Sequence, residues 1–243
     1  GDTSGILSIS MPRWRFDILH PIDLVEEVAI GHGYDDLAHD VPKAPLTAIP
    51  RHDGHLRRRI REALQGLGLI QIQSLTLSND DDQFNSVRWK PDGDITRMTN
   101  PITTEHTILR QNIIPGLLRL LGANRHHDLP QGVYELGSVV IDHSNRERFA
   151  FLVAEKSGGF AALRGRIQAL MRDLGCDTWS LEDISSGPWL QGRSANIVVD
   201  GKVVGECGEI DPNVSQSFEL NVPMSGAQFD VEALSIVLKD PVH

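Results

Sequence analysis

The chain has 243 residues, 40% of them hydrophobic and 23% charged, with a formal net charge of −10 at pH 7 and a pI of about 5.4. That length supports one good core, or a core with a smaller appendage, and the acid excess argues against this chain gripping nucleic acid by itself, because affinity for a phosphate backbone comes from clustered Lys and Arg. No apolar run reaches bilayer length and no signal peptide opens the chain, while two distant cysteines, Cys176 and Cys207, exclude a disulfide scaffold and point to a reduced, cytoplasmic setting.

In chain order, the opening "GDTSGILSIS" starts on Gly1 and reads as a strand already under way, so upstream domains are expected. Residues 5 to 19 read as a strand followed by a turn. From 21 to 30 the pattern is helical, with Ile22, Val25 and Ala29 on one side and Leu24 and Val28 close by; Pro21 suits a first helical position and Gly31 or Gly33 the end. The proline-rich "AHDVPKAPLTAIP" has no periodicity and reads as a linker. The expected domains are therefore 1–40, a linker over 41–50, and 51–243.

In the larger domain Leu56, Ile60, Leu64 and Leu67 step by four, four and three, which predicts a helix with Gly68 at its C-terminal end. "LIQIQSLTLS" alternates with period two and predicts a strand. "SNDDDQFNSVRWKPDGD" is polar and broken by Gly and Pro, hence a loop. "TNPITTEHTILRQNIIPGLLRLLGANRHH" predicts two helical segments meeting at Pro115, which can open the second. "GVYELGSVVI" and "RFAFLVAEK" predict strands. Leu163, Ile167, Leu170 and Leu174 predict a helix ended by Gly175. In "SANIVVDGKVVGECGEI" two β-rich runs flank Asp200-Gly201, a pair that favours a type I′ hairpin. The fold class predicted is α+β, with a mainly antiparallel sheet flanked by helices.

Motifs for self-sufficient chemistry are missing. There is no G-x-x-x-x-G-K-[ST] and no G-x-G-x-x-G between a strand and a helix; "SGGFAALRGR" lacks such spacing. The histidines, including the pairs His52/His55 and His126/His127, show no zinc pattern. No G-x-S-x-G elbow occurs and neither cysteine has an activating context. One basic run, Arg51, Arg57, Arg58, Arg59 and Arg61, reads as a solvated helix face or as a contact for RNA or an acidic partner.

The acids of "RFDILHPIDLVEEVAIGHGYDDL" remain. On a helix over 21–30, Asp23, Glu26 and Glu27 fall at i, i+3 and i+4 on one face, and Asp17 can fold back over it. Such carboxylates repel one another unless something positive stands between them. Two readings stay open: an oxygen-only Mg²⁺ site, or acids complementing the dipole of a helix N-terminus.

The motifs in series carry a resemblance. "MPRWRFDILHPIDLVEEVAIGHGYDDL" meets P-x-x-R-x-D-I, D-L-[IV]-E-E and G-Y-D through Pro12, Arg15, Asp17, Ile18, Asp23, Leu24, Val25, Glu26, Glu27, Gly33, Tyr34 and Asp35. "TNPITTEHTILRQNIIPGLLRLLGANRHHDLPQGVYELGSVV" meets N-P-x-[ST]-x-E, L-R, P-G-L-L and [FY]-E-[LI]-G. "LQGRSANIVVDGKVVGECGEIDPNV" and "FELNVPMSGAQFDVEAL" meet the closing blocks. Together, in the right order over nearly all of 11 to 234, they resemble the C-terminal part of the phenylalanyl-tRNA synthetase β-subunit family.

The resemblance implies that 1–40 ends a small winged-helix-like domain and that 51–243 is a catalytically degenerate relative of the class II synthetase catalytic domain. It implies an α subunit that binds ATP and phenylalanine, makes the adenylate and charges tRNA(Phe), within an (αβ)₂ enzyme. It implies Mg²⁺ bound by Asp17, Asp23, Glu26 and Glu27 and shared with α. The class II F-R-x-E and late Gly-rich Arg motifs are absent here, so Arg110, Glu135 and Arg193 are assigned packing or interface roles and this chain alone is expected to be inactive. An editing domain, where a complete β chain has one, is expected upstream of Gly1, and a chain that stops soon after "FDVEAL" fits either a shorter archaeal or eukaryotic layout or a truncated chain. The alternative is a class II-like interaction module outside tRNA charging.

Overall fold

The computed structural model describes residues 5, 7–38, 40, 43 and 52–238. The chain divides into two compact units, Gly1–Ile49 and Pro50–His243. Of the linker expected over 41–50, only residue 43 is among the described residues.

In the N-terminal unit, helix α1 runs Pro21–His32, followed by a 3₁₀ turn Tyr34–Asp36. Pro21 occupies the first turn, where its missing N–H is no loss, and the chain leaves the helix through Gly33 at φ 103°. Of the strand followed by a turn expected over residues 5 to 19, the described residues form turns at 13–14 and 16–17 but no strand, since residues 7–10 have no neighbouring strand to pair with.

The larger unit is built on a seven-stranded sheet. Its strands are β1 (Ile70–Gln71), β4 (Gln131–Ile141), β5 (Ser144–Ala154), β6 (Ser180–Asp183), β7 (Trp189–Val199), β8 (Lys202–Ile210) and β9 (Met224–Asp230), in the order β1-β4-β5-β9-β8-β7-β6. Every pairing is antiparallel except β1 with β4. Two short strands, β2 (Leu77–Ser78) and β3 (Ile108–Leu109), form a separate pair.

The run "FAFLVA" is hydrophobic throughout because both faces of β5 are covered there. Phe149, Phe151 and Val153 face one core, with Phe149 stacked on Phe229 at 4.6 Å. There they meet Leu56, Ile60 and Leu64 of α2 (His52–Gly66), Leu163, Ile167 and Leu170 of α4 (Phe160–Asp173) and Leu234 of α6 (Val231–Val237). Ala150, Leu152 and Ala154 face a second core with Leu117, Leu118 and Leu121 of α3 (Ile114–Ala123) and Val214 of α5 (Pro212–Ser217). This is the α+β, mainly antiparallel architecture that the alternating patterns predict.

Three local expectations differ. "LIQIQSLTLS" is not one strand: β1 pairs with β4 and β2 with β3, and between them Ser74 turns inward to a buried ion pair. The helical segment expected before Pro115 does not form: Thr107, Leu109 and Arg110 bond instead to Ser78, Thr96 and Thr76, and only α3 is helical. The expected loop at 78–94 contains a π-helical turn, Asp81–Asn85, which buries Asp82, Gln83 and Phe84.

Candidate functional site

Helix α1 places the four acids differently from one another. Asp23 turns back over the helix start, where its Oδ2 accepts hydrogen bonds from the backbone N–H groups of Leu19 and His20, both at 2.8 Å. Asp17 and Glu27 are brought together by Arg15. Its Nε donates to both Asp17 oxygens at 3.0 and 3.1 Å, and its Nη2 donates to Asp17 Oδ2 at 2.8 Å and Glu27 Oε1 at 2.5 Å. The guanidinium holds both carboxyls below the usual carboxylate range, chiefly through these hydrogen bonds. Glu26 is exposed and meets no hydrogen-bond partner among the described residues.

One acid thus caps the helix start, and two share a positive charge supplied by the chain itself. That charge is Arg15, which periodicity does not single out because it precedes the helix. Its sequence signal is its place in the P-x-x-R-x-D-I motif, two residues before Asp17. The donor set is oxygen only and ionised at Asp17 and Glu27, the chemistry Mg²⁺ accepts. The set is geometrically incomplete within this chain: among the described residues no three Asp, Glu, His or Cys side chains converge as a metal ion requires. Ile22, Val25 and Val28 leave an apolar side of α1 exposed.

In the larger unit several arginines already face carboxylates. Arg110 is buried against Glu135 at 2.7 Å, Arg148 meets Asp92 at 3.0 Å and Arg193 meets Glu209 at 2.8 Å. Of the basic run on α2, Arg57 pairs with Glu147 and Arg58 with Glu62, both at 2.7 Å. Cys176 and Cys207 are buried and free, and burial pushes the Cys207 thiol up to about 12, far from a nucleophile's range. Gln228 is a functional packing group that patterning missed: its Oε1 accepts from the N–H of Ile113 at 2.8 Å, serving the uncapped start of α3.

Glu206 is a carboxyl whose charged form is disfavoured by its surroundings. Loss of solvent pushes its pKa up, against a hydrogen bond from Trp189 Nε1 at 3.1 Å. The native state therefore keeps a proton that the unfolded chain releases. Below the ordinary carboxylate range both states are protonated; as pH rises from there through the folded value, stability is lost. Glu206→Gln is expected to remove this slope, so that its urea midpoint falls less than the wild type's as pH rises above the ordinary carboxylate range.

Comparison with known proteins agrees with these features. A family profile described as the phenylalanyl tRNA synthetase beta chain CLM domain matches residues 37–231, and one described as the tRNA synthetase B5 domain matches residues 1–34. The chain belongs to the phenylalanyl-tRNA synthetase β-chain family. Among relatives named phenylalanine–tRNA ligase beta subunit, that of Archaeoglobus fulgidus is 37% identical over 229 residues, 93% of this chain and 42% of that one. That of Methanococcus maripaludis is 34% identical over 239 residues, 94% of this chain and 43% of that one. The chain thus spans about two fifths of the length of the curated relatives it matches.

Among solved structures, pyrrolysyl-tRNA synthetase from Desulfitobacterium hafniense superposes with a TM-score of 0.63 at 14% identity, covering 76% of this chain and 69% of that one. This β-family chain therefore shares the fold of a tRNA synthetase. Among the described residues no helix is long and apolar enough to cross a membrane.

Proposed function

We propose that this chain is the C-terminal portion of the β subunit of phenylalanine–tRNA ligase, a cytoplasmic (αβ)₂ enzyme that charges tRNA(Phe) with phenylalanine using ATP. The observation that carries this is the β-chain family match over residues 37–231, together with alignment to a β subunit over 93% of the chain. In this reading the α subunit binds ATP and phenylalanine and performs adenylation, and the chain contributes assembly and support for tRNA. The pairing of Arg110, Arg148 and Arg193 with carboxylates favours a domain without its own α-phosphate clamp.

Asp17, Asp23, Glu26 and Glu27 would hold Mg²⁺ together with groups of α. A bound ion would supply positive charge to these carboxylates; the chain's own part is to keep Asp17 and Glu27 ionised and Asp23 fixed at the start of α1.

The test is co-expression with the α subunit, gel filtration, and phenylalanine-dependent ATP–pyrophosphate exchange. Expected are a joint complex, exchange with α present, and none from this chain alone. Exchange by the chain alone would overturn its non-catalytic role, and no complex would favour an interaction module outside tRNA charging. Asp17→Asn with Glu27→Gln is expected to weaken assembly with α about tenfold, roughly one lost charge-assisted contact, while the unfolding midpoint of the larger unit stays unchanged.

A further inference from the structure

Among the described residues, Ser225 Oγ is the one buried side-chain oxygen or nitrogen with no hydrogen-bond partner within the protein. Ser225 is 2% exposed and sits on β9, opposite Val153 of β5 and Glu209 of β8. Its side chain faces the same side of the sheet as Ala227 and Phe229, whose core lies under α4. A hydroxyl left alone there forfeits the hydrogen bonds that water gives it in the unfolded chain, so buried polar groups are nearly always satisfied.

The residue lines a small cavity of about 30 Å³ at the start of α4, together with Glu155, Gly158, Gly159 and Glu209. The glycines are those of "SGGFAALRGR", and a Cβ on Gly158 would stand 2.6 Å from Glu155 Oε1. The charges around the cavity are already matched. Arg166 donates through Nη1 and Nη2 to Glu155 Oε1 and Oε2 at 2.7 and 2.9 Å, and Arg193 Nη1 donates to Glu209 Oε2 at 2.8 Å. The Phe160 N–H donates to Glu209 Oε1 at 2.7 Å, which puts a carboxylate from the sheet at a helix start whose own Gly159 has no capping side chain. A further anion would meet two carboxylates, and a cation would meet the positive end of α4. What fits is a neutral group that both donates and accepts.

We propose that this cavity binds one ordered water, which joins Ser225 Oγ to the carboxylates of Glu155 and Glu209. A buried water takes two to four polar partners and needs roughly 10–15 Å³, and both conditions are met. The water links the Arg166–Glu155 and Arg193–Glu209 pairs into one clasp. That clasp fastens the start of α4 to the ends of β5, β8 and β9.

The test is a crystal structure of this chain at about 1.5 Å, together with thermal unfolding of the wild type and Ser225→Ala. Expected is density within roughly 2.6–3.2 Å of Ser225 Oγ and of at least one of the two carboxylates. Ser225→Ala is expected to lower the unfolding midpoint by about 2–4 °C, the loss of one net hydrogen bond in a domain of this size. A hydroxyl without any partner predicts the opposite sign, because removing it relieves a buried polar atom. No density, density bonded to Ser225 alone, or an unchanged or raised midpoint overturns the proposal. Contacts near 2.3 Å would mark a cation in place of water and overturn it as well. The wild-type density does not depend on how the variant folds.

Discussion

Replacing Arg110 with methionine is expected to cost the larger unit about 3–5 kcal/mol, the usual loss when one partner of a buried ion pair is removed. Arg110 and Glu135 have side chains only 4% and 0% exposed. Their charges are compensated completely within the fold: Arg110 Nη1 donates to Ser74 Oγ at 2.8 Å and Nε to the Ser138 carbonyl at 3.0 Å, while Ser74 Oγ donates to Glu135 Oε2 at 2.6 Å. Without Arg110, Glu135 must be protonated or stay charged with only a hydroxyl to face. Urea unfolding followed by far-UV circular dichroism measures the loss. The triple change Arg110→Met, Glu135→Leu, Ser74→Ala is expected to recover most of it, because no buried charge is then left alone. A loss equally deep in the triple variant would mean that packing volume, not charge, governs this site.

The network also explains the E-L-G spacing of "VYELG". Glu135 and Gly137 lie two apart on β4 and face the same side. A Cβ at Gly137 would stand 2.6 Å from Arg110 Nη2 and 3.0 Å from Glu135 Oε1. The glycine is what lets the guanidinium lie flat across the strand.

Gly226→Ala is the second large effect, expected at about 3 kcal/mol, the upper part of the overpacking range. Gly226 sits on β9 between Leu152 of β5 and Gly208 of β8. A Cβ there would come within 2.2 Å of the Phe151 carbonyl oxygen, a backbone atom that cannot rotate away, and 2.9 Å from Leu152 Cδ1. The β5–β9 ladder at the centre of the sheet would have to open. Gly165→Ala is the matched control: it lies inside α4, is exposed and would touch nothing within 4 Å. That change is expected to stabilise by roughly 1 kcal/mol through helix propensity. Thermal unfolding of both variants in one buffer checks the opposite signs.

Local chemistry made several elements legible. Asp200 and Gly201 adopt φ values of 49° and 75°, the paired positive values a type I′ turn needs, and β7 and β8 flank them as expected. The hairpin joining β4 and β5 uses the same device at Asp142 and His143, with φ values of 49° and 58°, but contains no glycine to announce it. There the long β4–β5 ladder imposes the turn on residues that tolerate positive φ without advertising it. Likewise the alternation of "LIQIQSLTLS" is real, yet Ser74 is needed at Glu135, and this splits the run between two sheets.

By itself, the sequence determined the helices with unbroken apolar stripes, the Asp-Gly hairpin, the α+β class, the family, and the presence of acids at the start of α1. All of these depend on residues close in the chain or on motifs in series. Only the tertiary structure decided which acid caps the helix and which two share Arg15, because that choice turns on a contact across twelve residues. Only it decided that Arg110 closes on Glu135, 25 residues away. Charges at such separations meet where strand register and packing bring them, and neither is encoded in the spacing of the residues themselves.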